Sequence, residues 1–126
     1  PIVYDNLKEL KFKVLKAIIE VEKPQTKEQA IVAKIRENAV GILQLRPVAI
    51  QEVNRILGKQ VYYLSDRVDS VKSVEIFFII QQFHNPTFNS YKAAMIWNGG
   101  SLWYKATPEQ KKRLQNYWIK VKSKLS

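Results

Sequence analysis

Apolar residues recur along the first 22 positions with the spacing of an amphipathic helix. Between Asn6 and Glu22 they return every three or four residues, at positions that share one side of a helix. Glu22 follows Ile18 by four residues and continues this apolar side, whereas Glu20 follows Lys16 by four and belongs to the polar side. The pattern therefore predicts a partly buried Glu22 and an exposed Glu20, unless the last turn is frayed and Glu22 lies in solvent.

The predicted position of Glu22 has a chemical consequence. Partial desolvation and the negative end of the helix dipole both disfavour the charged form of a carboxylate. A carboxyl group that keeps its proton near neutral pH can act as a general acid. Glu22 is therefore the first candidate catalytic residue.

Cap and turn signals predict five more helices. Thr26 and Gln29 have the spacing of a capping box, and Pro47 suits the first turn of a helix that Gly58 would end. Thr107, followed by proline, begins the last helix. The helices predicted after the first cover residues 27–36, 48–57, 70–83, 90–98 and the chain from 108 onward.

These elements predict an all-α fold of about six helices. The helix over residues 70–83 is apolar around nearly its whole circumference, which favours a buried position at the centre. Residues 61–64 are the only β-like segment expected. A length of 126 residues fits a single domain over 1–126. Because the chain begins with proline rather than methionine, we expect it to be excised from a longer protein.

Composition and charge restrict the functions that the chain can have. Without cysteine there is neither a disulfide framework nor a thiolate metal site, and we expect no metal and no cofactor. No apolar run approaches the roughly 18 residues that span a membrane, so we expect no stable membrane insertion. Residues 105–126 contribute +6 to the net charge of +10. Such a basic helix suits nucleic acid, an acidic membrane surface or an acidic polymer, or it simply keeps the surface soluble.

Three motifs in order resemble one enzyme family. Val21-Glu22 ends a helix, Gly41-Ile42-Leu43-Gln44 follows about twenty residues later, and Ile96-Trp97-Asn98-Gly99-Gly100 ends another helix. With Tyr117-Trp118-Ile119-Lys120-Val121 in the last helix, they resemble the lysozyme-like lytic transglycosylases of the soluble class, relatives of goose-type lysozyme. Residues 45–69 resemble a variant found in Bacteroidetes and their phages. The resemblance covers about residues 14–123 and implies a lysozyme-like fold.

The resemblance implies a role for each matched residue. Glu22 would be the acid/base that protonates the leaving glycosidic oxygen. Gln44 would orient the N-acetyl group of the sugar, and Gly41 would let the backbone approach the saccharide. Asn98 would hydrogen-bond to the sugar, and Tyr117 would hydrogen-bond near the Glu22 carboxylate.

Aromatic residues complete the expected substrate-binding set, with two departures from the family. Trp97 and Tyr104 would offer aromatic faces to sugar rings. However, Trp97 stands where the family has tyrosine, and Lys23 stands where it has the serine after the catalytic glutamate. Both departures remove a hydroxyl group. Structural alternatives stay open: Trp97 and Tyr117 as core aromatics, and Gln44 as a surface amide.

The matched residues together predict a muramidase that cleaves the β-1,4 bond between N-acetylmuramic acid and N-acetylglucosamine in peptidoglycan. A lytic transglycosylase that forms a 1,6-anhydro product is favoured over a hydrolytic goose-type-like lysozyme, because no second carboxylate lies in a matching motif. Asp66 and Asp69 suit helix caps, and Glu37 is a weak candidate for the second carboxylate.

The predicted partner is the glycan strand. We expect a monomer in the periplasm or cell wall, as a cell-wall enzyme, a phage lysis protein (endolysin) or a virion component. A basic helical nucleic-acid-binding module is the alternative from another class, because residues 26–57 can be drawn as a helix-turn-helix. The muramidase prediction involves no nucleic acid.

Overall fold

The computed structural model describes the backbone of residues 2–125 and the side chains of residues 6–125. This part of the chain contains six α-helices and two 3₁₀ turns, is 73% helical and has no strand. The all-α prediction is therefore confirmed. The α-helices are α1 (Ile2–Glu22), α2 (Lys27–Glu37), α3 (Pro47–Leu57), α4 (Ser70–His84), α5 (Ser90–Gly99) and α6 (Pro108–Ser123). The 3₁₀ turns cover Leu64–Val68 and Trp103–Lys105.

Side-chain caps begin α2 and α6 where the sequence predicts them. The Thr26 hydroxyl accepts the Gln29 N–H at 3.1 Å, but the Gln29 side chain accepts the N–H of Gln25 at 2.8 Å instead of that of Thr26. At Thr107 both halves of the box form, with Gln110 as the reciprocal partner at 2.9 and 3.2 Å. Each cap satisfies backbone donors that the first helical turn leaves unpaired.

The β-like segment predicted over residues 61–64 is extended at Tyr63 and pairs with no strand in the described chain. The side chain of Asn54 accepts the N–H groups of residues 61 and 62, both at 3.0 Å, and donates to the carbonyl of residue 62 at 2.9 Å. One amide side chain thus replaces a neighbouring strand, and Leu64 already begins a 3₁₀ turn. The β-bridge that the described residues do form lies within residues 40–45.

The most apolar helix, α4, is buried along only part of its surface. Its buried positions include Phe77 and also two polar side chains, Ser73 and Gln81. Near its ends, Val71 is 70% exposed and Phe83 is 53% exposed, so the burial that the sequence predicts for this helix does not extend to its ends. The guanidinium of Arg55 lies 5.4 Å from the centre of the Phe83 ring, a cation–π contact that suits an exposed aromatic residue.

The described chain forms two compact units. The central unit comprises Glu22–Phe83, and the terminal unit comprises α1 as far as Val21 together with the chain from His84 onward. The single lysozyme-like domain stays a prediction. Among residues 2–125, no helix has both the length and the apolar character that crossing a membrane requires.

A hydrogen bond from a buried tyrosine lies within the central unit. Tyr62 is 7% exposed, and its hydroxyl donates to the Glu75 carboxylate at 2.8 Å. Burial raises the pKa of Tyr62 to about 12, and the hydrogen bond to Glu75 and the charges of Glu75 and Asp66 act in the same direction. The folded state therefore holds this proton more tightly than the unfolded chain does, which favours folding below about pH 10.

Tyr62→Phe should lower the free energy of unfolding by about 1 kcal/mol at about pH 8, because the hydrogen bond to Glu75 is lost. Between about pH 10 and about pH 12 the wild type should lose this advantage, since its tyrosine must then ionise inside the fold. Urea denaturation at both ends of this range measures the difference. Tyr63→Phe is the control, because the Tyr63 side chain is 53% exposed. An equal pH profile for wild type and Tyr62→Phe would contradict the assignment.

Candidate active site

Glu22 is the last residue of α1, and its side chain is half-buried. Glu20, two residues earlier, is exposed. The different exposure predicted for these two glutamates is therefore confirmed, and the last turn of α1 is not frayed at Glu22. A carboxylate in this position has the partial desolvation and the helix-end location that suit a general acid.

Residues 40–45 form a tight turn, here called the Gly41 turn. The N–H of Val40 donates to the carbonyl of Leu45 at 3.1 Å, and the N–H of Leu45 donates back at 3.0 Å. Between them the backbone takes positive φ values twice, 86° at Gly41 and 51° at Gln44. Leu43 and Leu45 are each 1% exposed and anchor the turn in the core of the central unit.

The buried guanidinium of Arg67, a residue outside the Gly41 turn, donates hydrogen bonds that hold the turn in place. Arg67 is 8% exposed. Its Nη1 donates to the carbonyls of Asn38 at 2.7 Å and Leu45 at 3.2 Å, and its Nε donates to the carbonyl of Leu64 at 2.9 Å. Charge-assisted bonds of this kind compensate the burial of a cation. The end of α2, the end of the turn and the first 3₁₀ turn are thereby linked.

Gly41 is required by the chain itself. A Cβ atom at this position would lie 2.1 Å from the carbonyl oxygen of Arg67, and the positive φ also disfavours a side chain. Internal packing alone therefore accounts for glycine here. A close approach of this backbone to a saccharide stays a prediction.

Gln44 is half-buried, and its side chain is held within its own turn. Its Nε2 donates to the carbonyl of Gly41 at 2.8 Å. This bond fixes the amide group and leaves its Oε1 as an acceptor, which is the group that would receive an N–H from an N-acetyl substituent. The Gly41 turn also lines a cavity of about 480 Å³ in the central unit, and Lys23, the residue after Glu22, lines the same cavity.

Trp97 and Asn98 lie in the last turn of α5, in the terminal unit. Trp97 is half-buried and Asn98 is exposed. Gly99 follows, and a Cβ atom there would lie 2.9 Å from the side chain of Leu114, so this glycine lets α5 and α6 pack closely. Gly100 then ends the helix with φ of 83°, its N–H donating to the carbonyl of residue 96.

Tyr104 and Tyr117 differ in exposure. Tyr117 is 7% exposed on α6, whereas Tyr104 is 58% exposed in the second 3₁₀ turn. The ring of Trp103 stands edge-on to that of Tyr104 at 6.1 Å between centroids. Tyr104 is therefore the more accessible of the two for stacking on a sugar. Tyr117 is buried, so its ring is not exposed for such stacking.

The terminal unit also contains an aromatic cluster that the sequence analysis does not predict. The ring of Tyr91 stands edge-on to those of Trp103 at 6.0 Å and Trp118 at 5.3 Å. Gln115 donates to its hydroxyl at 2.5 Å. Tyr91 and Trp118 belong to α5 and α6, and their spacing on two separate helices gives no pattern that sequence reasoning could find.

The predicted site residues therefore fall into two sets. Within the central unit the structure joins Gly41 and Gln44 in one turn, and within the terminal unit it places the others on α5, the second 3₁₀ turn and α6. The central set is Glu22, Gly41 and Gln44, and the terminal set is Trp97, Asn98, Tyr104 and Tyr117. Their convergence on one substrate stays a prediction.

The other carboxylates considered have structural partners. Asp66 Oδ2 accepts the N–H of Tyr63 at 2.8 Å, and this bond, followed by the contact with Lys72, lowers the pKa of Asp66. Asp69 caps α4 by accepting the N–H of Lys72 at 2.9 Å. Glu37 pairs with Arg46 at 3.1 Å. These contacts explain all three carboxylates without a catalytic role.

Comparison with known proteins identifies no relative: neither a protein family, nor a curated protein, nor a solved structure matches the chain.

Replacing Gly41 by alanine should destabilise the protein more than the same change at Gly58. Both residues have positive φ, so each variant bears a backbone cost of about 1 kcal/mol. At Gly58 nothing lies within 4 Å of an added Cβ atom, whereas at Gly41 the methyl group would collide with the Arg67 carbonyl. We expect a further loss of about 1–3 kcal/mol for Gly41→Ala in urea denaturation. Equal losses would show that Arg67 does not restrict the turn.

Proposed function

We propose that this protein is a peptidoglycan-cleaving muramidase that uses Glu22 as its single acid/base. The observation that supports it most is the half-buried carboxylate at the end of α1, next in the chain to a residue that lines the cavity of the Gly41 turn. Partial burial distinguishes Glu22 from Glu20, and the fixed amide of Gln44 offers the acceptor that an N-acetyl sugar needs.

The proposed reaction begins when the Glu22 carboxyl group protonates the oxygen between N-acetylmuramic acid and N-acetylglucosamine. The bond from that oxygen to C1 of N-acetylmuramic acid breaks, and an oxocarbenium-like centre develops at this C1. The Glu22 carboxylate then removes the proton from the C6 hydroxyl group of the same sugar, and O6 bonds to C1. The 1,6-anhydro sugar leaves, and Glu22 is protonated again. In the hydrolytic alternative, water takes the place of the C6 hydroxyl group.

The non-hydrolytic route is favoured because no carboxylate lies in a matching motif, and the three considered as a second catalytic group each have a structural partner. Asp66, Asp69 and Glu37 are engaged in caps or an ion pair. An inverting hydrolase needs a base to activate water on the far face of the sugar, and an intramolecular hydroxyl group removes that need.

The exposed cations of α6 support an anionic polymer as the partner. Among the described side chains none of them forms an ion pair. Peptidoglycan carries carboxylates on its stem peptides, so a cell-wall surface would attract this helix. We accordingly propose action in the periplasm or cell wall, in phage lysis or entry. The exposed cations of α6 are Lys111, Lys112, Arg113, Lys120 and Lys122.

The rival nucleic-acid module receives less support from the structure. A helix-turn-helix joins its helices by about three to four residues. Between α2 and α3 lie nine residues, 38–46, and they include the Gly41 turn with its β-bridge. The basic helix α6 also lies outside this segment.

Glu22→Gln should abolish the clearing zone on a peptidoglycan zymogram, because the amide cannot donate the proton. A loss of about a hundredfold or more is expected from removing a general acid. Glu20→Gln is the matched control: it makes the same change two residues away on an exposed side chain and should keep most of the activity. If both variants clear like the parent, the assignment of Glu22 is wrong. Salt-dependent DNA binding without clearing would favour the rival.

A further inference from the structure

Helix α2 buries none of its eleven side chains. Most helices in proteins depend on packing of an apolar face, yet the apolar residues of α2 are exposed, Ile31 by 57%, Val32 by 47% and Ile35 by 77%. A cap stabilises each end of α2. The Thr26 side chain caps the start, and at the finish the N–H of Asn38 donates to the carbonyl of Lys34. An apolar helix face that is exposed to solvent suggests an interaction site.

One side of α2 forms a wall of the 480 Å³ cavity. The residues on this wall are spaced at intervals of three, four and seven along the helix, so they form a single stripe. The Gly41 turn and Val68 also line the cavity. The α2 stripe consists of Lys27, Ala30, Ile31 and Lys34.

The cavity is an open concavity with a mainly apolar surface, and the charged residues that line it are all lysines. Lys23, Lys27 and Lys34 line it, and no acidic residue does. Within the described part of the chain none of these three lysines has an ion-pair partner. An occupant that complements this lining carries carboxylates together with small apolar groups.

The spacing of the lysines sets the distance that a bound molecule must span. Lys27 and Lys34 lie seven residues apart on one helix, which places their Cα atoms about 10 Å apart. An extended peptide advances about 3.3 Å per residue, so carboxylates some three residues apart on a short peptide would reach both ammonium groups. The concavity is open and its α2 residues are exposed, so an anionic membrane is the competing occupant.

We infer that this cavity binds the carboxylate-bearing stem peptide of peptidoglycan, with Lys27 and Lys34 holding carboxylates and Ile31 contacting the apolar part of the peptide. The inference rests on the proposed muramidase function and adds to it a preference for glycan strands that still carry peptides. Lys23 also lines this cavity, and it is the residue that follows Glu22, the proposed acid, in the chain.

Titration calorimetry with a soluble stem peptide tests the inference directly. The double variant Lys27→Gln/Lys34→Gln should bind at least about tenfold more weakly than wild type, because two charge-assisted contacts are lost. Lys13→Gln/Lys16→Gln is the matched control: it removes the same charge from two exposed lysines of α1 and should bind like wild type. Equal binding by both double variants, or no binding by wild type, would overturn the inference.

Vesicles of anionic lipid provide the competing arm. If the Lys27/Lys34 variant loses vesicle binding while no protein binds the peptide, the cavity face is a membrane contact and the inference is wrong. Vesicle binding that is equal in both double variants, together with selective loss of peptide binding, supports it.

Cleavage assays separate this inference from the proposed function. Intact peptidoglycan and glycan strands stripped of peptide by an amidase are compared for each protein. The ratio of activity on intact to stripped substrate should fall in the Lys27/Lys34 variant and stay constant in the Lys13/Lys16 variant. An unchanged ratio with active enzyme refutes the peptide site alone, whereas no cleavage of either substrate by wild type refutes the muramidase proposal.

Discussion

The central unit depends on one buried cation. Arg67 has its guanidinium in the interior with backbone carbonyls as its acceptors, and these carbonyls belong to three separate segments. A buried charge without acceptors would be costly, so the end of α2, the Gly41 turn and the first 3₁₀ turn must stay where they can serve it. The carbonyl of Arg67 in turn fills the space that a side chain at position 41 would need. Gln44 is held in place by the turn that results.

Much of the fold could be predicted from the sequence because local signals agree with one another. The period of α1, the cap at Thr107 and the glycine that ends α3 each depend on residues within one or two turns. Arg67 could not be predicted, since a cation that binds main-chain carbonyls leaves no complementary acid in the sequence. The partner of residues 61 and 62 could not be predicted either, since their backbone N–H groups donate to the side chain of Asn54 and not to a neighbouring strand.

For the candidate site, the sequence predicted the exposure of side chains better than the reason for each residue. Helical phase alone separated Glu22 from Glu20, and the structure confirms the difference in exposure. Gly41 was expected to make room for a sugar, but the chain already needs a glycine there for its own packing. Periodicity also marked α2 as a helix without showing that it buries no side chain, because the pattern within a helix does not reveal what packs against it. The cavity lined by lysines could not be predicted, because residues of both α2 and the Gly41 turn line it.

We propose that Glu22 serves as acid and then as base without a second carboxylate. Mass spectrometry of the soluble muropeptides released from purified peptidoglycan by the wild-type protein tests it most directly. If Glu22 works in this way, the products should be lighter by one water than those of hydrolysis, since the C6 hydroxyl group of the sugar closes the ring. Products with the full hydrolytic mass would contradict it, because water would then be the nucleophile and another group would have to activate it.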